Sequence, residues 1–180
     1  MNDRRVYARR DPESGMTLIE LCIVIVILGI LLVVAVASLQ RARMMANESS
    51  AIAMMRTITK AEFAYASECG RGHYAPSLAQ LGNSRPGRDQ SYLAEDLGLV
   101  DMPERNGYRF NVLPGLDSTP GLEDCNKIST RTTFYATAVP LALGRTGSRS
   151  FATSQSNGIW QRPGSVPPSQ PFGSPSEYVR

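Results

Sequence analysis

Hydrophobic positions are distributed very unevenly along this chain. From Met16 to Leu39 nearly every side chain is apolar, and Glu20 and the Cys22 thiol are the only ionisable groups. About 20 such residues are enough for an α-helix to cross a bilayer. This stretch therefore predicts a transmembrane helix at residues 16–39.

Beyond Leu39 the apolar positions narrow to a single stripe. No proline or glycine occurs between Gln40 and Ser67, and helix-forming residues are frequent there. Cys69-Gly70 then supplies a stop signal. We expect a nearly continuous helix from Thr17 to Glu68. Its first half should be apolar on all sides and its second half amphipathic. The stripe recurs at steps of three, four and seven residues, as one helix face does, and consists of Met44, Ala51, Met55, Ile58, Ala61 and Tyr65.

The remaining chain contains strand-like stretches rather than long helices. Residues 70–106 are irregular, with enough leucines for one or two short helices. Three stretches alternate or are rich in β-forming residues, namely 108–112, 132–139 and the interrupted piece formed by 150–153 and 158–160. The fold class predicted is α+β, with a small three-stranded antiparallel sheet packed on the amphipathic half of the long helix.

Four segments follow from these patterns. Residues 1–15 form a short charged leader, residues 16–39 the apolar helix, and residues 40–160 a globular domain. Residues 161–180 are rich in Pro, Ser and Gly, a composition that predicts a flexible tail.

Charge before the apolar helix indicates its orientation. The arginines of the leader favour a cytoplasmic N-terminus, so the globular domain is expected on the far side of the membrane. Arg41 and Arg43 follow the apolar helix closely and weaken this asymmetry. The leader arginines are Arg4, Arg5, Arg9 and Arg10.

The overall charge and the polar residues point to no catalytic chemistry. The chain has 19 basic and 16 acidic residues, a balance that does not predict a nucleic-acid binder. His73 is the only histidine and lies in a loop sequence, where a solvated side chain is expected. We find no zinc-like spacing, nucleotide loop or nucleophile elbow. The sequence therefore predicts a protein that is not an enzyme, with no catalytic residue, cofactor or metal site.

Two of the three cysteines lie in the predicted globular domain. If this domain is exported, a disulfide between Cys69 and Cys125 is the natural inference. Two free buried thiols are the alternative. Cys22 lies within the apolar helix and is interpreted as a small hydrophobic residue there.

Glu20 requires an explanation, because a carboxylate buried in hydrocarbon costs several kcal/mol unless it is paired or protonated. A plain membrane anchor does not account for it. A secretory signal peptide cleaved after Ala37 does not either, and its apolar stretch would be unusually long. Cleavage between Gly15 and Met16 would create an α-amino cation at Met16. When such helices bundle, Glu20 of one chain can neutralise the amine of a neighbour and select the axial register.

The segment GMTLIELCIVIVILGILLVVAVA resembles the type IV pilin-like family, which includes prepilins and pseudopilins. The resemblance implies cleavage by a prepilin peptidase after Gly15, N-methylation of Met16 and an assembly role for Glu20. It also implies a subunit that lies in the inner membrane as a single-pass protein and then enters a periplasmic or extracellular filament. Its partners would be further copies of itself and other pilin-like subunits. Met16 stands where the family usually has phenylalanine, and Ala37 where many members have proline.

The leading hypothesis is a structural subunit of a type IV pilus-like filament that polymerises through its N-terminal helix. A pseudopilin of a type II secretion system is the alternative within the family. A membrane-tethered or secreted binding protein that does not polymerise is the alternative of a different class.

Overall fold

A computed structural model describes residues 15–83, 90–98 and 100–179. The predicted leader up to residue 14, with its four arginines, lies outside the described residues. Within them the chain forms three helices and eight strands. The helices are α1 (Leu18–Glu68), α2 (Leu78–Leu81) and α3 (Glu95–Gly98). The strands are β1 (Glu104–Arg105), β2 (Tyr108–Pro114), β3 (Pro120–Glu123), β4 (Ser129–Arg131), β5 (Phe134–Pro140), β6 (Arg149–Ser154), β7 (Ile159–Pro163) and β8 (Glu177–Tyr178).

The chain divides into two compact units, Met1–Leu39 and Gln40–Arg180. The described part of the first unit consists of the start of α1 and the three residues before it. The second unit contains the rest of α1, both short helices and every described strand.

Helix α1 agrees closely with the sequence prediction. It begins at Leu18, one residue later than expected, and ends at Glu68 as expected. The predicted stripe is buried except for Met44, which is partly exposed. The helix ends at a tight turn in which the Gly70 N–H donates to the carbonyl of Tyr65 at 2.7 Å. A side chain at Gly70 would collide with the carbonyl oxygen of His73, so this stop signal requires glycine.

The α+β class is confirmed, but the main sheet has six strands instead of the three predicted. Their order is β1-β2-β5-β6-β7-β8, and every neighbouring pair is antiparallel. The interrupted third stretch is two strands, β6 and β7, joined by a turn in which Asn157 adopts a φ of 61°. Strands β1 and β8 have two residues each, too few to give a period-2 pattern. Strands β3 and β4 form a separate hairpin.

The structure also differs from the sequence prediction at the C-terminus. Residues expected to form a flexible tail complete β7 and supply β8, which pairs with β7 through Trp160 and Tyr178. The Pro-rich connection lies against the sheet, because the Tyr135 hydroxyl donates to the carbonyl of Pro168 at 2.5 Å and Phe172 stacks on Trp160. The segment rich in Pro, Ser and Gly is thus a connection that side chains of the sheet hold in place.

The core lies between the second half of α1 and one face of the sheet. The sheet residues that face it are fully or almost fully buried, and burial of a large apolar side chain contributes about 1.5–3 kcal/mol. Helices α2 and α3 close one side of this core with Leu78, Leu81 and Leu97. The main contributors from the sheet are Tyr108, Phe110, Val112, Phe134, Ala136, Ala138 and Phe151.

Candidate functional site

The start of α1 places Glu20 in the first helical turn. Thr17 is the residue before the helix, and its Oγ1 accepts a hydrogen bond from the Glu20 N–H at 3.3 Å. The Leu21 N–H donates to the Thr17 carbonyl at 3.2 Å. Thr17 with Glu20 three residues later is the sequence pattern of a capping box. Glu20 therefore has a local explanation as part of a helix cap, and its assembly role stays a prediction.

The residues around the predicted cleavage point are open to solvent. Gly15 and Met16 precede the helix, and 69% of Met16 is exposed. No other part of the described chain approaches within 4 Å of a side chain built at Gly15. A peptide bond outside a helix and away from the rest of the protein is accessible to a processing enzyme. The predicted processing residues thus lie in a suitable setting, and the processing itself stays a prediction.

The apolar half of α1 has no covering surface within the chain. Every side chain that the structure describes from Met16 to Leu39 is exposed, including Leu18 at 81% and Val33 at 73%. Helix α1 is long and apolar enough to cross a membrane, and none of its most apolar window is buried inside the protein. Exposed apolar surface on this scale marks a region that meets lipid or another protein.

The predicted disulfide is present and fastens the β3–β4 hairpin to the end of α1. Cys69 and Cys125 are bonded, with their Cα atoms 5.0 Å apart. The Cys125 N–H also donates to the carbonyl of Cys69 at 3.1 Å. The prediction of this bond is confirmed. Cys22 is an exposed free cysteine in the apolar helix.

A buried polar network next to the disulfide was not predicted. Asp124 is 3% exposed, and its Oδ2 accepts hydrogen bonds from the Tyr65 hydroxyl and the Gln80 amide, both at 2.6 Å. Its Oδ1 accepts from the N–H groups of Asn126 and Ile128 at 2.8 Å. Burial by itself raises the pKa of Asp124, but these hydrogen bonds outweigh it and hold the pKa below its usual value. The network keeps a carboxylate charged inside the fold.

Two buried acids on the second half of α1 were also not predicted from the sequence. Glu62 is fully buried, and its Oε2 accepts the Ala75 N–H at 2.9 Å. Burial raises the pKa of Glu62 to about 8, although the hydrogen bond from Ala75 acts in the opposite direction. Its carboxyl group is therefore mostly protonated at neutral pH.

Glu48 is buried but charged. Its Oε1 accepts from the Ser148 N–H at 2.8 Å, and its Oε2 accepts from Nε of Arg149 at 2.9 Å. Burial tends to raise the pKa of Glu48, yet the bonds from Ser148 and Arg149 lower it overall. Glu48 lies about 100 residues from Ser148 and Arg149 in the sequence, so no local pattern could predict that they meet.

His73 differs from the expected solvated side chain. It is partly buried, and its Nδ1 is enclosed without a hydrogen-bond partner.

Elsewhere in the second unit, Arg56 and Lys60 line a groove of about 390 Å³ together with Phe63, Asn157 and Tyr178. In the part of the chain that the structure describes, no group of three or more His, Cys, Asp or Glu side chains could hold a metal ion.

Comparison with known proteins identifies the N-terminal segment. Residues 10–36 match the family model "Prokaryotic N-terminal methylation motif". This motif is characteristic of type IV prepilin-like proteins, so the resemblance drawn from the sequence is confirmed. Neither the curated proteins nor the solved structures include a significant match to the chain. The match covers Gly15, Met16 and Glu20 and ends before the globular domain.

Proposed function

We propose that this chain, which carries the motif of type IV prepilin-like proteins, is a structural subunit of a type IV pilus-like filament. The observation that carries the proposal is the uncovered apolar helix at residues 16–39, with a single carboxylate at Glu20. In this account a prepilin peptidase cleaves between Gly15 and Met16. The mature subunit then polymerises through that helix, and its globular domain has no catalytic part.

Burial of the apolar helix among neighbouring subunits stabilises the filament once the helix has left the lipid, because water would otherwise contact it. Within the membrane, lipid covers residues 16–39, and the globular domain lies on the far side of the inner membrane. In a filament, the helices of neighbouring subunits replace lipid as the covering surface. Because this half of α1 is apolar on all sides, it can be covered by several neighbours at once.

Glu20 supplies the axial register in this account. After cleavage it is the fifth residue of the mature chain, and Met16 carries the α-amino cation. Among packed apolar helices the local dielectric is low, so Glu20 and the amine of a neighbour attract strongly only when their heights agree. Removing one partner of a buried ion pair costs about 3–5 kcal/mol. At about 1.4 kcal/mol per factor of ten, the contact would weaken about a hundredfold or more.

The substitution Glu20→Gln separates the two explanations of this residue. Glutamine serves at the same position of a capping box but carries no charge. We expect the variant to be cleaved normally in its host and to yield almost no sheared filaments. Glu123→Gln removes an exposed acid of the β3–β4 hairpin and should assemble normally. Normal filament yield from Glu20→Gln would show that the carboxylate acts only as a helix cap.

The same host strains distinguish the other hypotheses. Filaments that extend from the cell surface support a pilus. A subunit that stays in the periplasm and is needed for export of other proteins would indicate a type II secretion pseudopilin. A wild-type chain that forms no filaments and does not enter those of other subunits would indicate a tethered binding protein.

A further inference from the structure

Arg41 and Arg43 are left without a role by filament assembly. They follow the apolar helix directly, on the side to which the globular domain is translocated, where basic residues oppose the usual orientation preference. A feature that works against insertion calls for a compensating function. Their surroundings in the second unit suggest one.

The loop between β5 and β6 is fastened to α1 beside these arginines. The Asn47 side chain donates to the Thr146 carbonyl at 3.0 Å, and Ser148 donates to Glu48 through its backbone N–H at 2.8 Å. Inside the loop, the Arg145 and Thr146 N–H groups both donate to the carbonyl of Ala142. Arg145 is thus held in a defined turn close to α1.

Gln40, Arg43 and Arg145 line a pocket of about 180 Å³, and all three belong to the second unit. Among the described residues, neither arginine has an ion-pair partner. The next acid along α1 is Glu48, and its oxygens already accept from Ser148 and Arg149. The pocket therefore combines two uncompensated guanidinium groups with one amide donor.

We propose that this pocket binds the phosphate of an anionic lipid headgroup while the subunit is in the membrane. The guanidinium group matches phosphate oxygens through paired N–H donors, and two of them in one pocket favour a ligand with a net negative charge. Gln40 immediately follows Leu39, the last residue of the apolar stretch, so the pocket begins where hydrocarbon gives way to headgroups. The proposal rests on the proposed membrane-inserted state of the subunit.

Free phosphate has the same chemistry as the headgroup, but the position of the pocket favours the lipid. A soluble anion could use two arginines anywhere on the domain, whereas Arg43 lies four residues after Leu39 on the same helix and Arg145 lines the same pocket. Arg56 and Lys60 also line a groove, 13 or more residues farther along α1 than Arg43, and provide a matched pair of cations on the same helix.

Native mass spectrometry of the mature full chain in detergent tests the proposal. We expect wild type to retain phosphatidylglycerol in preference to phosphatidylcholine. The double variant Arg43→Gln/Arg145→Gln should retain at least tenfold less phosphatidylglycerol, because both guanidinium groups that would pair with the phosphate are removed. Arg56→Gln/Lys60→Gln should retain as much as wild type. Arg43→Lys/Arg145→Lys keeps the charge but loses the paired donors, and should fall between.

Two outcomes overturn the proposal. One is equal retention of phosphatidylglycerol by wild type and Arg43→Gln/Arg145→Gln, with circular dichroism showing that both are folded. The other is binding of inorganic phosphate or glycerol phosphate at these arginines without retention of the lipid. Failure of the proposed function looks different, because the wild-type host would then form no filaments. Failure of the membrane-inserted state would appear as release of the wild-type chain from host membranes by alkaline carbonate.

Discussion

Helix α1 has two halves that place similar residues in opposite environments. Ile27 in the first half is 52% exposed, whereas Ile58 in the second half is fully buried under the sheet. In the first half the apolar residues surround the helix, so no single neighbouring element can cover them. In the second half they form one stripe, which one sheet covers. The arrangement of apolar residues around the helix, more than their number, therefore decides whether the chain covers itself or needs partners.

The disulfide belongs to the self-covered region, and its loss should have the largest effect. Cys69 and Cys125 are 56 residues apart, and closing such a loop contributes about 4 kcal/mol in the chain-entropy model. We expect Cys69→Ser/Cys125→Ser to lower the free energy of unfolding by about that amount. Urea unfolding in detergent, followed by the fluorescence of Trp160, measures it. Cys22→Ser in the apolar half should leave the free energy of unfolding unchanged. An equal loss from Cys22→Ser and from Cys69→Ser/Cys125→Ser would contradict the distinction between the two halves.

A matched pair of isoleucine substitutions compares the two halves directly. Ile58→Ala leaves a cavity in the core and should lower the free energy of unfolding by about 3 kcal/mol. Ile27→Ala removes the same atoms from an exposed side chain, so the same urea titration should show a change of about zero. A large loss from Ile27→Ala would mean that the first half of α1 stabilises the domain after all.

The buried acid of the second half should make the stability of the domain depend on pH. The pKa of Glu62 is about 8 in the folded chain, against 4.5 for an unperturbed Glu. The contribution of Glu62 to the free energy of unfolding is therefore complete below about pH 4.5 and is lost as the pH rises through about 8. Between these values the free energy of unfolding falls by up to about 1.4 kcal/mol per pH unit. Glu48, with a lowered pKa, acts in the opposite sense and loses its contribution as the pH falls.

Unfolding free energies measured between pH 5 and pH 8 test this slope. Glu62→Gln should flatten the decline seen in wild type, whatever its absolute stability, because the variant has no proton to release at that position. Glu123→Gln, at an exposed site, should keep the wild-type slope. Parallel pH profiles for wild type and Glu62→Gln would show that Glu62 does not retain its proton in the folded chain.

The elements that follow local patterns were predictable from the sequence. Helix α1 has a continuous stripe and a glycine stop, and strands β2 and β5 are long enough to show alternation. Two features depend on distant partners and could not be predicted from local composition. These are the two-residue strands and the attachment of the Pro-rich connection through Tyr135 and Trp160. The six-stranded sheet follows from these additions.

The same division holds for the site residues. Gly15, Met16 and Glu20 lie within one matched motif, and the disulfide followed from two cysteines in a domain that the sequence predicts to be exported. Glu48 and Arg149, by contrast, meet only because the fold brings together positions 101 residues apart. Side-chain pairs of that kind leave no spacing or periodicity in one sequence.

The proposed function requires that residues 16–39 are retained as an assembly helix with a new N-terminus at Met16. Intact mass and N-terminal sequencing of the protein isolated from membranes and filaments of its host would test this requirement. We expect a chain that begins at Met16 and whose mass exceeds that of residues 16–180 by one methyl group. A chain that begins at Ser38, or one that still carries the leader, would contradict it.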